Sequence, residues 1–252
     1  MFGQNRFICV AGKNQCSIDF IEFIKLKIPK NNILVLPNIS DKGHDSWQPS
    51  LRKYAKKNCF KIISLKKVYK IQNLIFLSIE YESIINVDKF HSAELFNFHF
   101  SLLPKYRGCH TNFYQIYNGE KYSGVTLHKI DSGIDTGPII DKIKFPIKKN
   151  TDAYKNYFNL MKNSVKLLKK NFKNIINKNY IERKQNLKKG SYYSRNSINY
   201  LKMKIFKTDK INLKLFNQMK AFIFPPFQFP ILNNNVVHKI KYNKNKIKIF
   251  YG

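Results

Sequence analysis

The sequence predicts an α/β fold: a mostly parallel sheet with helices on both faces, followed by a small C-terminal helix and β-hairpin. Three observations carry that expectation. Over the first hundred residues, short apolar runs alternate with segments of helical period, and strands separated by helices imply parallel pairing through crossovers. A long amphipathic stretch opens near Thr151. The last forty or so residues hold one more apolar stripe and an alternating segment around an Asn/Lys turn.

Taken in order, RFICVAG (6–12) reads as a buried strand ending in a glycine turn. Ile18, Ile21, Ile24 and Ile28, with Phe20 and Leu26, then keep helical spacing up to Pro29. NILVLPN (32–38) is a second strand and 47–57 a helix, after which FKIIS (60–64), LIFLSI (74–79) and ELFNFHF (94–100) are strands. SGVTLHKI (123–130) and GPIIDKIKFPI (137–147) follow as two more. In the long helix, Tyr154, Tyr157, Phe158, Met161, Val165, Leu168, Phe172 and Ile175 share one face and lysines the other. Residues 178–208 are polar and irregular. A last helix near 210–223 carries Leu215, Phe216, Met219, Phe222 and Ile223 and stops at Pro225 and Pro226. The implied organisation is a main domain over 1–178, an irregular connection over 179–208 and a helix–hairpin segment over 209–252.

Composition narrows the function classes. An apolar fraction of 43% supports a proper core, and 46 basic against 15 acidic side chains give a net charge of +31. Such an excess opens a non-enzymatic alternative, a basic nucleic-acid-binding protein. The lysines, however, are dispersed and interleaved with asparagine rather than gathered into a patch, which points to compositional bias and no nucleic-acid partner. Cys9, Cys16, Cys59 and Cys109 form no C-x-x-C pair, which argues against a zinc site and fits a reducing compartment. No H-E-x-x-H spacing suggests a metal. No stretch is apolar enough for a signal core or a bilayer span, so a soluble, cytoplasmic protein with no membrane partner is expected.

Chemistry concentrates between Phe96 and Ile140. The run Phe96–Asn97–Phe98–His99–Phe100 alternates strictly, so on a strand the phenylalanines take one face and Asn97 with His99 the other. The carboxyl ends of such strands are where α/β sheets bind ligands. SLLPKYRG (101–108) closes the strand in a loop, and GVTLHKIDSGIDTGPII (124–140) then places Asp135 in a tight D-S-G-I-D-T-G turn between strands. Taken alone, the aspartate is open to ordinary turn chemistry as well as to catalysis.

Together these segments resemble the formyltransferase family that uses N10-formyltetrahydrofolate, whose signature is an N-x-H strand, an SLLP-x-x-x-G loop, G-x-T-x-H and an aspartate before T-G-P. The resemblance implies a Rossmann-like catalytic domain, N10-formyltetrahydrofolate as formyl donor and no metal. It gives Asn97 the role of oxyanion donor. His99 becomes the proton carrier between attacking amine and departing folate nitrogen, and Asp135 the carboxylate that orients and stabilises it. It places the pterin between Tyr81, Glu82, Ser83 and Ile85, through backbone groups, and the loop holding Ile130 and Asp131. His128 is implied to be structural, and His110 to lie near substrate.

Three subfamilies compete under that resemblance. AGKNQCS (11–17) has one glycine and lacks the phosphate cradle of the glycinamide ribonucleotide type. The methionyl-tRNA type would use the positive charge but carries a barrel domain that a helix and a hairpin cannot form; it stays as the alternative. The G-K-N opening, GSYYSR (190–195) and AFIFPPFQFP (221–230) resemble the sugar nucleotide N-formyltransferases. Their implied acceptor is a dTDP-linked amino dideoxy sugar for surface polysaccharide (lipopolysaccharide O-antigen) biosynthesis. Lys13, Asn14 and Arg195 would meet its pyrophosphate. Tyr193, Phe222 and Phe224 would stack on its base, with packing of the last helix as the other reading of the phenylalanines. The same resemblance implies a homodimer through the C-terminal segment.

Overall fold

The computed structural model describes residues 6–252 apart from Ser92, Pro226, Lys244 and Asn245. The first apolar run is strand Phe7–Gly12 (β1), with Ile8 to Ala11 wholly buried. A Cβ at Gly12 would lie 2.0 Å from the carbonyl oxygen of Ile79, so a side chain there would push the neighbouring strand away. Helix Asn14–Ile24 (α1) starts earlier than the isoleucine spacing implies, and its Phe20 meets Phe98 edge-to-face at 4.8 Å. Strand Ile33–Pro37 (β2) follows, then helix Leu51–Lys57 (α2), whose N-cap Ser50 accepts from the Lys53 amide at 3.0 Å.

The third expected strand shrinks to Lys61–Ile62 (β3) and runs at once into a short helix, Leu65–Val68 (α3). Leu74–Ile79 (β4) matches its apolar run end to end, and Ala93–His99 (β5) carries the alternating aromatics. Arg107–Gly108 (β6), Thr111–Tyr117 (α4), Tyr122–Lys129 (β7), Ile139–Pro146 (β8) and Ala153–Asn177 (α5) continue the chain. The stretch expected to be irregular contains Tyr192–Tyr193 (β9), Tyr200–Met203 (α6) and Ile205–Phe206 (β10). Helix Leu213–Ala221 (α7) and strands Ile231–Leu232 (β11), Asn235–Asn243 (β12) and Lys246–Tyr251 (β13) complete it.

The main sheet has seven strands in the order β3-β2-β1-β4-β5-β7-β8. Pairs β3–β2, β2–β1, β1–β4 and β4–β5 are parallel and β5–β7 is antiparallel, so the expected mostly parallel α/β class holds. The chain leaves β1 on one side for β2 and β3, then returns on the other for β4 and β5. Such a reversal opens a crevice at the carboxyl ends of the central strands. Lys13, Asn14 and the segment Tyr81–Ile85 follow directly on β1 and β4 at that end.

By packing, the chain forms two compact units whose bounds differ from those read in the sequence. One is Met1–His99, Val125–Lys142 and Lys162–Asn186; the other is Phe100–Gly124, Ile143–Met161 and Leu187–Gly252. The long strands β7 and β8 and helix α5 each run from one unit into the other, which is why a linear division misses them. In the first unit, Cys9, Leu34, Val68, Phe76 and Leu95 centre the core. At its margin Glu94 takes an ion pair from Lys129, another from Lys178 at 3.0 Å and the Tyr180 hydroxyl at 2.6 Å. Burial pushes the Glu94 carboxyl up, but these partners outweigh it and hold it down at about 2.

In the second unit, Phe113 of α4 meets Phe222 beyond α7 at 4.9 Å. The expected hairpin is present as antiparallel β12–β13, with turn residues Lys244 and Asn245 outside the described residues. It belongs, however, to a four-stranded sheet β10-β11-β12-β13. Phe216, Met219 and Ile223 are buried against Leu232, Val237 and Ile240 of that sheet. The α7 stripe is thus covered by strands of its own chain, β11 and β12.

Candidate active site

Antiparallel pairing of β5 on β7 puts Asn97 opposite His128 and His99 opposite Thr126. Phe96 and Phe98 turn into the core, at 0% and 1% exposure, and the alternation leaves Asn97 and His99 side by side on the other face. The Asn97 amide nitrogen lies 3.1 Å from Asp135 Oδ1 and 3.1 Å from His128 Nε2. His128 Nδ1 lies 2.7 Å from the Lys129 carbonyl oxygen, so Nδ1 carries the proton and Nε2 is the acceptor. That settles which end of the Asn97 amide faces inward, since a nitrogen must donate to both neighbours.

Asp135 joins the cluster from its loop. Its Oδ2 lies 3.4 Å from His99 Nδ1 and its Oδ1 3.5 Å from His128 Nε2. The side chains of His99, Asp135 and His128 are only 8%, 13% and 3% exposed, a setting in which charge interactions are poorly screened. One carboxylate thus touches two imidazoles and one amide.

The loop is shaped for this. Lys129 N donates to Pro138 O at 2.9 Å and closes its base. Asp131 Oδ1 accepts from Gly133 N at 3.2 Å and from Thr136 Oγ1 at 2.7 Å. A Cβ at Gly137 would lie 1.9 Å from the Lys129 carbonyl oxygen, so no larger residue fits between the loop's two arms. Asp135 itself has φ +54°, in the left-handed region that non-glycine residues rarely adopt. The Gln185 amide donates to the carbonyls of Asp135, at 3.0 Å, and Gly137, at 2.7 Å.

The other residues singled out in the sequence fall into distinct places. Tyr81 and Ile85 pack half-buried on the first unit's core, as does Ile130. Ser83 is half-buried in the same segment. The Glu82 carboxylate accepts from Ser40 N at 2.8 Å and Ser40 Oγ at 2.5 Å. Glu82 thus ties its loop to the one that follows β2, and Asp131 ties its own loop. Lys13 is the N-cap residue of α1, and Asn14 begins that helix at φ +61°. Arg195 lies exposed in the second unit, where its carbonyl takes a 2.7 Å hydrogen bond from His110 Nε2.

The aromatic residues expected to stack on a base differ in how far packing occupies them. Phe222 is 0% exposed and ringed by Phe113, Tyr117, Tyr200 and Phe206. Tyr193 is stacked on Tyr114 at 3.7 Å and on Tyr106 at 5.8 Å. Phe222 is taken up by core packing, while Tyr193 stays half-buried at the margin of the same cluster. Phe224 is half-buried against Tyr154, Tyr157 and Phe227. Phe222→Ala should therefore lower the unfolding free energy by about 3–5 kcal/mol, read as a fall in the denaturation midpoint. A variant of unchanged stability that binds nucleotide poorly would restore the stacking role.

Sequence reasoning passed over two members of the cluster. His128 reads as structural, yet it accepts from Asn97. Gln185 carries no pattern at all. Among the described residues, no group of His, Cys, Asp or Glu is placed to hold a metal ion, and no helix is long and apolar enough to cross a membrane.

A half-buried amide, a buried histidine and a loop carboxylate meet at the end of an α/β sheet, an arrangement suited to acid–base group transfer. Residues 75–171 match the formyl transferase family. The chain is 43% identical to WlaRD, a sugar 3N-formyl transferase solved with dTDP and 5-N-formyl-THF. That likeness covers 96% of this chain and 88% of WlaRD with a TM-score of 0.90. It is 40% identical to an N-formyltransferase from Helicobacter canadensis solved with folinic acid and dTDP-3-aminofucose, over 97% and 95% of the two chains with a TM-score of 0.89. The methionyl-tRNA formyltransferase of Clostridium tetani is 39% identical over 98 residues, which are 39% of this chain and 32% of that protein. The chain thus spans about a third of that curated relative's length. The chain belongs to the formyltransferase family. Within it, the likenesses of 40% identity or more along most of both chains are to sugar N-formyltransferases, and the methionyl-tRNA type is a more distant relative.

Proposed function

We propose that this protein moves the formyl group of N10-formyltetrahydrofolate to the amino group of a dTDP-linked amino dideoxy sugar, with the amine at sugar C3. The observation that carries the reading is the mutual contact of Asn97, His99 and Asp135 in a chain of this family. The dTDP and the C3 position rest on its 43% and 40% identity to proteins solved with dTDP and dTDP-3-aminofucose.

In that reaction the amine lone pair attacks the formyl carbon and the carbonyl oxygen becomes an oxyanion. The C–N10 bond then breaks, and the proton of the new ammonium reaches N10. His99 turns Nδ1 to Asp135, so Nε2 is the nitrogen that takes and returns this proton. Asp135 stabilises the imidazolium between the two transfers. Asn97 is the amide donor that meets the oxyanion, its side chain fixed on the strand by the bond to Asp135.

Tetrahydrofolate release with a panel of dTDP-3-amino, dTDP-4-amino and UDP-4-amino sugars tests the assignment. Preference for a dTDP-3-amino sugar is expected, and formylation of methionyl-tRNA at a comparable rate would overturn it. A homodimer belongs to the same proposal. Strand β13 is the outer strand of its sheet and carries Phe250 and Tyr251 at 42% and 53% exposure, an edge that invites pairing. A clean monomer in sedimentation at high micromolar concentration would refute it. Four free cysteines support a cytoplasmic setting, where the formamido sugar nucleotide would feed surface polysaccharide assembly.

A further inference from the structure

We infer that Gln185 is a positioning residue for formyl transfer: its amide holds the loop that presents Asp135 to Asn97, His99 and His128. The inference rests on the formyl-transfer reading above, and its geometry lies wholly within the first compact unit. Past α5 the chain returns along the start of β8, where Arg183 N donates to Ile139 O at 2.9 Å and Ile139 N to Arg183 O at 2.8 Å. Two residues further along each arm, this antiparallel register sets Gln185 opposite Gly137. There the side chain, not the backbone, makes the bond. Its Nε2 reaches Gly137 O at 2.7 Å and Asp135 O at 3.0 Å, so the two N–H groups grip the carbonyls on either side of Thr136.

What the grip opposes is visible in the backbone. Asp135 holds φ +54°, a conformation that persists when the surroundings impose it. Gly133 and Thr136 anchor the loop to Asp131 and Lys129 N bonds Pro138 O across its base, but none of these contacts bonds the Asp135 peptide. Gln185 does so directly. The other end of its amide points the same way: Oε1 is buried with no hydrogen-bond partner. A buried acceptor left unpaired disfavours the fold, and an apolar side chain of the same shape would avoid that penalty. The donor end accounts for an amide at this position.

Misplacing a catalytic group by about 1 Å can lower turnover by up to roughly a hundredfold. In the full chain, Gln185→Leu keeps the bulk and removes both donors, while Gln185→Lys returns donors to the same carbonyls. The leucine variant should lose roughly tenfold to a hundredfold in kcat, with KM for the amino sugar changed less than about threefold. The lysine variant should recover most of the loss. A second reading needs no substrate: the His99 imidazole titrated by NMR. Loss of a well-placed carboxylate lowers a histidine midpoint, so Gln185→Leu should move His99 in the same direction as Asp135→Asn and by at least half as much.

An unmoved His99 midpoint in a folded leucine variant overturns the inference, and so does an equal loss of kcat in the lysine and leucine variants. Should the leucine variant not fold, Gln185→Met, which also lacks the donors, takes its place under the same two readings. If the wild-type chain formylates no amino sugar, the functional reading fails by itself, and the titration alone still decides the role of Gln185.

Discussion

His99→Asn should give a folded protein whose kcat is lower by roughly a hundredfold or more. The replacement is smaller, polar and able to hydrogen-bond, and it sits on the face of β5 opposite the buried phenylalanines, so the core is untouched. Only the titrating nitrogen is lost. Without it the proton of the attacking amine must leave through water, which the 8% exposure of the His99 side chain restricts. Tetrahydrofolate release measured beside the circular dichroism spectrum makes the check. Near-wild-type turnover in a folded His99→Asn protein removes this residue from the mechanism.

Asp135→Asn should be more damaging still, by about a thousandfold in kcat. The carboxylate accepts from the Asn97 amide at 3.1 Å and faces His99 at 3.4 Å through its other oxygen. A carboxamide cannot do both. With its oxygen toward Asn97, its NH2 faces His99 Nδ1 and drives the histidine proton onto Nε2, where the mechanism needs a lone pair. With its oxygen toward His99, two NH2 groups confront each other. Either way the histidine has the wrong tautomer or the asparagine loses its place. The affinity for the folate donor should stay close to that of the wild type. A fall in KM-side binding with kcat preserved would mean that Asp135 serves the ligand rather than His99.

How much of this was legible depended on whether a feature left a local pattern. β4 is legible end to end because five of its six buried positions carry apolar side chains, Ser78 being the exception. Asn97 and His99 were readable because alternation with phenylalanine assigns faces without any knowledge of partners. α4 was missed: it begins at His110, held at φ +57°, and is too short for periodicity to show. β10 and β11 are two residues each, below what any pattern can register, so the four-stranded sheet reads in the sequence as a hairpin alone. Phe222 looked like a base-stacking residue because an aromatic beside prolines is ambiguous until its neighbours are known. The role of His128 depended on register, and that of Gln185 on a contact with a residue 50 positions away. His128 stands in the G-x-T-x-H motif, but Gln185 leaves no trace in composition or spacing.

The distance of Gln185 along the chain also bears on synthesis. A nascent chain that has emerged as far as β8 already carries Asn97, His99, His128 and Asp135, and it can pair β5 with β7. The carbonyls of Asp135 and Gly137 have no side-chain amide to receive until α5 and the residues beyond it have followed. Domains on the ribosome fold from the N-terminal end as units become complete. The unit containing this centre includes Lys162–Asn186, so its last-made residues hold the loop around its most exacting carboxylate. Chains released before residue 185 would contain every titrating side chain of the centre without the strap that holds Asp135 in its left-handed conformation.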